Sequence, residues 1–266
     1  FQPPLTRVVG CIVISMGKSS NFVLLGERCS GTNIIEAAVQ LNTSCSASQA
    51  AGFKHFPNLP DAETASRLRD LPVIVVVRHP VEWAKAMYAQ PWHAAPHLLS
   101  VNFSEFLRAE WYSVWNEQAF VPPDDPRYGK EMMSDRDPFT GQRYENLLRM
   151  RSGKMKLFLE LASAAKTRVV VRLEDYAKNP TEVISRVCDA IGGSKRGSIQ
   201  IPDGYKGRLS WKRRVASALG LGALVDMVRR RERMGGIPTV DKVDEEFIWS
   251  QLDMGAERLF GYTPLR

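Results

Sequence analysis

The chain has 266 residues, 44% hydrophobic and 24% charged, with 36 Lys and Arg against 29 Asp and Glu for a formal net charge of +7. That balance is close to the globular average and excludes disordered, collagen-like and disulfide-framework classes. The length allows one large or two small domains and ample chain to bury a core. A pI near 9.3 suits phosphate-bearing partners, nucleic acid or an acidic surface without choosing among them. Cys11, Cys29, Cys45 and Cys188 contain no CxxC pair of the kind that binds zinc, and they leave one disulfide open. No apolar run reaches the roughly 18–20 residues that cross a bilayer. The longest near the start, Val8 to Met16, reads as a strand or a buried segment. Because the chain begins with Phe1, a preceding presequence or anchor stays open. The triplets Asn42-Thr43-Ser44 and Asn102-Phe103-Ser104 permit a secretory location.

In chain order, Phe22 to Leu25 is a short apolar strand ending at Gly26. The loop ERCSGTN follows, and IIEAAVQL then reads as a helix. Strand, loop and helix open a parallel α/β unit. Helices are expected at about 61–70, 103–118, 144–164 and 242–260. Pro72 to Val77 is apolar without alternation, as a central parallel strand covered on both faces should be. It stops at Arg78-His79-Pro80, where a helix begins. Arg168 to Leu173 is a third strand, and Pro180 opens a helix through Ile191. Val121 to Arg143 is long and rich in Pro, Gly and charge, the profile of a lid or acceptor-binding loop. The expectation is one α/β domain over 1–266, three layers around a central parallel sheet. Ligands of such sheets bind at the carboxyl ends of the strands. The loops at 26–33 and 78–80 therefore share a rim, with Phe53 to Pro57 a further member.

Ser30, Gly31 and Thr32 bring small side chains, hydroxyls and backbone N–H groups to a helix N-terminus, where anions are stabilised. The loop departs from nucleoside-triphosphate enzymes, which need Gly-Lys-Ser/Thr and a second strand ending in a metal-holding Asp. Here Thr32 follows Gly31 directly and the strand VIVVV ends in Arg78, which suits an anion held by protein charge without magnesium.

At these residues the chain resembles the sulfotransferases that use 3′-phosphoadenosine 5′-phosphosulfate (PAPS). Arg28-Cys29-Ser30-Gly31-Thr32 is similar to their 5′-phosphosulfate loop, which resembles a P-loop, and VIVVVRHPVEWAKAMY to their 3′-phosphate segment. Lys54-His55-Phe56-Pro57 is similar to the Lys-x-His-x-Pro segment of cytosolic members, one residue tighter, and closer to the Lys-His pair of bacterial- and algal-type members. VVVRLEDYAKNP matches the later strand and Glu-Asp turn, and LDMGAERLFGY the closing helix. The resemblance spans about 22–192 and the last twenty residues. It implies metal-independent transfer of a sulfuryl group from PAPS to an acceptor hydroxyl or amine, the acceptor being a small molecule or glycan. His55 is then the base, as its ordinary pKa near 6.5 suits. Lys54 and Arg28 stabilise developing charge, Arg28 through Asn33 (Cys29, Ser30, Gly31 and Thr32 between them) cradle the 5′ group, and Arg78 takes the 3′-phosphate. Lys206-Gly207 and Trp211-Lys212 are similar to the family's late nucleotide grip, which would add Lys206 and Lys212 to the cofactor site. Both cytoplasmic and Golgi-lumen locations fit.

Two positions depart from the pattern. Ala86 stands where a phosphate-binding Ser is common, with Lys85 as a substitute, and Cys29 where a Lys or Arg is common. Glu27 is a second candidate base, or a partner for arginine. Pro96 between His93 and His97 spoils a helical ligand pair. Trp83, Trp111 and Trp115 fall on helical patterns and read as core, with adenine contact a minor alternative for Trp83. Glu174 and Asp175 read as loop-fixing hydrogen bonders. Residues 200–236 hold nine basic residues against three acidic ones, six of the seven net charges, around an apolar middle. An amphipathic helix pair, or a surface for membrane or anionic polymer, fits that segment. Two alternatives to the sulfotransferase reading stand: a non-catalytic binder of anionic glycan, membrane or nucleic acid through 200–236, with nucleic acid ranked last, and a nucleotide-dependent phosphotransferase.

Overall fold

The computed structural model describes residues 21–116, 121–193, 197–202 and 237–264. The expected segment at Val8 to Met16, most of the basic 200–236 stretch, Lys206 and Lys212 lie outside the described residues. The chain falls into two compact units, one drawn from the described parts of Phe1–His79, Lys154–Pro202 and Asp253–Arg266, the other from those of Pro80–Gly153 and Asp203–Leu252.

The first unit carries a four-stranded parallel sheet in the order β2-β1-β5-β6, with β1 at Asn21–Gly26, β2 at Ser46–Ser48, β5 at Val73–Val77 and β6 at Arg168–Arg172. Helix α1 (Thr32–Asn42) links β1 to β2, and α6 (Leu173–Lys178) and α7 (Pro180–Ile191) follow β6. Alternate strand residues divide the core. Phe22, Leu24, Ile74, Val76, Val169 and Val171 pack against Ile35, Ala38 and Val39 of α1 and Val183, Ile184, Val187 and Ile191 of α7. Val23, Leu25, Val73, Val75 and Val77, pointing to the other face, are equally buried. Burial on both faces explains why these strands read as unbroken apolar runs, and the fold is the expected three-layer α/β class. A separate hairpin pairs β3 (Gly52–Phe53) with β4 (Phe56–Pro57), so Phe53 to Pro57 does not join the main sheet. Helix α2 (Ala62–Leu68) precedes β5, with Asp61 capping its N-terminus through Thr64.

The second unit begins with α3 (Pro80–Ala89) and α4 (Phe103–Arg108) and includes α8 (Lys242–Gln251). Helix α5 (Leu147–Ser163) starts in this unit and ends in the first. The helix expected over 103–118 stops at Arg108. Beyond it the chain is extended, forming isolated bridges Trp111↔Tyr144, Ala94↔Ser113 and Val114↔Glu131. Trp111 and Ser113 are fully buried and Val114 nearly so, so cross-strand packing overrides the helical spacing. Trp111 and Trp115 therefore do not sit on a helix, although Trp111 is core as expected. The 242–260 helix is likewise two, α8 and α9 (Met254–Leu259), because Asp253 caps the second through the Ala256 N–H. In the 121–143 loop, Glu131 accepts from Arg136 and Arg143, and buried Asp135 accepts from Trp111 Nε1 at 3.3 Å and from Ser113. No helix among the described residues is long and apolar enough to cross a membrane.

Candidate functional site

The described residues of the candidate site, Lys154 of α5 included, belong to the first unit. β1 ends at Gly26, where a Cβ would lie 2.5 Å from the Val76 carbonyl oxygen and 2.7 Å from Thr32 Cγ2, so only glycine lets the strand, β5 and the start of α1 close up. The loop that follows contains two left-handed residues, Cys29 at φ 62° and Gly31 at φ 86°. A left-handed non-glycine residue is uncommon and signals that the surroundings enforce the shape. The Ser30 N–H turns back to the Glu27 carbonyl at 3.2 Å. Helix α1 then opens at Thr32 with no side-chain cap. Its first N–H groups have no intrahelical acceptor and carry the positive end of the helix dipole. Ser30 is fully buried, and its hydroxyl oxygen has no hydrogen-bond partner among the described residues. Such a group costs about 1–3 kcal/mol unless something else meets it.

Cations converge on this loop. Arg78, at the end of β5, donates from Nη1 to the Cys29 carbonyl at 3.2 Å, which places the 26–33 and 78–80 loops on one rim. Cys29 thus contributes its main chain, where the resemblance looks for a basic side chain. The β3–β4 hairpin reaches the same rim: the Gly26 N–H donates to the Lys54 carbonyl at 3.1 Å, and His55 Nδ1 lies 2.6 Å from the Gly26 carbonyl. Lys54 Nζ donates to Asn33 Oδ1 at 2.6 Å and Glu36 Oε2 at 2.7 Å, using two of its three protons. Arg28 is buried, its guanidinium 5.5 Å from the centre of the Phe56 ring. Arg28, Cys29, Ser30, Gly31, Thr32, Asn33, Lys54, His55 and Arg78 therefore come together; Lys206 and Lys212 lie outside the described residues.

His55 is half-buried, and its pKa falls from 6.5 to about 3. Loss of solvent is the largest cause, the Gly26 carbonyl opposes it, and the charges of Lys54, Arg28 and Lys154 lower it further. The neutral ring must place its proton on Nδ1 to donate to Gly26, so Nε2 carries the lone pair. Lys154 was not legible as a site residue. It comes from α5, is only 3% exposed, and donates from Nζ to the His55 carbonyl at 3.0 Å. The same ammonium stands 4.0 Å from fully buried Glu27 and 4.6 Å from the Phe56 ring centre.

The remaining candidates have engagements of their own. Trp83 is fully buried in the second unit with Arg151 over its ring at 5.0 Å, which removes it as an adenine platform. Lys85 pairs with Glu82 on its own helix at 2.7 Å. His97 stacks on Tyr112, and His93 is left-handed at φ 59° near Trp115. Glu174 does fix loops: its carboxylate accepts from the His79 N–H at 2.6 Å and the Tyr262 hydroxyl at 2.9 Å. Asn42 of the first glycosylation-type triplet is buried, its amide donating to the Ala38 and Gln200 carbonyls at 2.8 and 2.6 Å, so the folded chain does not offer it for modification.

Comparison with family models, curated proteins and solved structures returns no match. The chemistry must be read from the site alone. It offers a doubly left-handed loop with a buried hydroxyl at the start of α1, the cations Arg28, Lys54, Arg78 and Lys154 engaged by the loop and the hairpin, and a neutral imidazole with a defined lone pair.

Proposed function

We propose that the chain is a sulfotransferase that moves a sulfuryl group from PAPS to an acceptor hydroxyl or amine. The observation that carries the reading is the buried Ser30 hydroxyl, without a partner among the described residues, inside a doubly left-handed loop that opens α1. A tetrahedral anionic oxygen is the group that such a hydroxyl and the adjacent helix N–H groups would satisfy. The residues fit the donor. Ser30, Gly31, Thr32 and Asn33 would receive its 5′ end and Arg78 its 3′-phosphate, with a planar fork suited to that anion. Glycine suits position 31 as well, since at φ 86° any L side chain is strained and a Cβ would also push Leu173 Cδ1, 2.5 Å away, aside.

When bound, the donor supplies an activated sulfuryl group. The chain's own residues do the rest. Arg28 and Lys54 stabilise negative charge gathering at the loop, where fixed donors need no reorganisation. His55 Nε2 accepts the acceptor's proton, its orientation held by the Nδ1–H bond to Gly26. At a pKa of about 3 the ligand-free imidazole is a weak base. A polyanion among Arg28, Lys54 and Lys154 offsets the cations that depress it, so base strength rises once the site is filled. The test is calorimetry with adenosine 3′,5′-bisphosphate followed by acceptor screening with labelled PAPS. The reading expects micromolar binding that does not need magnesium; no heat at high micromolar nucleotide sinks it.

A further inference from the structure

Among the described residues, Lys154 is the one cation engaged at the site that arrives from outside the loop, the hairpin and the strand end. It lies on α5 in the stripe Leu147, Arg151, Lys154, Phe158 and Leu161, whose members are all buried. Lysine is almost never this buried unless its charge is engaged, and a leucine would pack such a stripe at lower cost. The engagement is specific. Nζ donates to the main-chain carbonyl of His55 at 3.0 Å and also stands in a buried ion pair with Glu27 at 4.0 Å, which shares its charge without a hydrogen bond at that length. The Phe56 ring, next to His55 in sequence, takes Lys154 at 4.6 Å and Arg28 at 5.5 Å. A hydrogen bond from an ammonium to a carbonyl is among the stronger kinds and fixes the backbone that carries the imidazole.

We propose that Lys154 is a positioning residue: its ammonium fastens the His55 main chain to α5 and completes, with Arg28 and Lys54, the cation set around the imidazole. The charged groups facing His55 are then Lys54 on its own hairpin, with Glu36 behind it, Arg28 and Glu27 on the loop, and Lys154 on α5. This role rests on the anion-site reading only for its catalytic consequence. The effect on His55 itself is independent of any nucleotide.

The experiment follows the His55 ring by NMR of histidine-labelled full-length chain, with His55→Asn giving the assignment. Lys154→Met should raise the His55 midpoint by about one unit, a tenfold change in proton affinity, while Lys154→Arg, which keeps charge and donor, should leave it within about 0.3 unit. Lys154→Gln keeps an N–H for the carbonyl without the charge and should behave like Met; it decides the matter where Met does not fold. In the unsubstituted chain, inorganic sulfate should raise the midpoint, and by less in the Gln variant. A midpoint unmoved in folded Lys154→Met or Lys154→Gln overturns the proposal, as does an equal shift in Lys154→Arg. If the midpoint shifts but adenosine 3′,5′-bisphosphate does not bind the unsubstituted chain, the role of Lys154 stands and the nucleotide reading falls.

Discussion

The depressed His55 makes the stability of the fold depend on pH in a defined window. Its folded pKa of about 3 lies below the ordinary 6.5, so between these values the unfolded chain holds a proton that the native chain does not. Stability contributed by the neutral ring is therefore complete above pH 6.5 and is lost as pH falls toward 3. At pH 5 the linkage amounts to about 2 kcal/mol, and near pH 3 to at most about 5 kcal/mol. His55→Asn is the informative perturbation because its amide nitrogen can replace Nδ1 as donor to Gly26 while removing the titrating group. Urea unfolding of both proteins at pH 7.5, 6 and 5 gives the difference directly. The substituted chain should lose about 2 kcal/mol less over that interval. Carboxylates that titrate low, such as Asp125 and Glu131 at about 2, act in the same direction; they overlap only the lower part of this window, below the pH range assayed, and they cancel in the comparison. Parallel curves, agreeing within about 0.5 kcal/mol from pH 7.5 to 5, would show that the ring is not held neutral by its surroundings.

Two substitutions in the loop separate fold from function. Ser30→Ala removes a buried hydroxyl without a partner among the described residues, so stability should stay level or rise by about 1 kcal/mol while affinity for adenosine 3′,5′-bisphosphate falls about tenfold. A loss of about 2 kcal/mol in denaturant titration would mean that the hydroxyl is satisfied by the protein itself. Gly31→Ala combines a left-handed backbone with a Cβ driven against Leu173, so it should cost about 1–3 kcal/mol by the same titration, and an unchanged midpoint of unfolding would contradict the loop geometry.

The strands and the loop were legible because their signals are local. Unbroken apolar runs at 22–25 and 72–77 mark strands covered on both faces, and Ser-Gly-Thr between strand and helix marks the tight turn that opens α1. The extended stretch after Arg108 was not legible, because Trp111 and Trp115 also satisfy helical spacing and only pairing with Tyr144 and Glu131 across the chain decides against it. The split at Asp253 carried a local signal, a capping aspartate three residues before Ala256, but it competes with continuous apolar periodicity on either side. Lys154 left a trace too: with Arg151 it puts charge into the apolar stripe of α5, which marks a buried engaged cation without saying what engages it.

The two departures from the pattern of the sulfotransferases that the chain resembles look different once the main chain is considered. Read by side chain alone, Cys29 leaves out a positive charge that the resemblance to sulfotransferases leads one to expect there. Its left-handed backbone nevertheless turns the carbonyl to Arg78, at 3.2 Å, so this position orients a cation that the neighbouring strand supplies. Lys154 brings further charge from α5 to the His55 carbonyl. Coulomb energy depends on where a charge ends up and not on which segment delivers it. A loop short of one basic side chain can therefore keep its field through cations from β5 and α5. At Ala86 no such substitution is visible among the described residues, since Lys85 is committed to Glu82. The 3′ end of a nucleotide would then lean on Arg78 more than the 5′ end leans on any one cation. Removing Arg78 should accordingly weaken binding of adenosine 3′,5′-bisphosphate about a hundredfold while affecting adenosine 5′-phosphate far less, as measured by calorimetry on both nucleotides. Equal losses for the two would place Arg78 on the 5′ group instead.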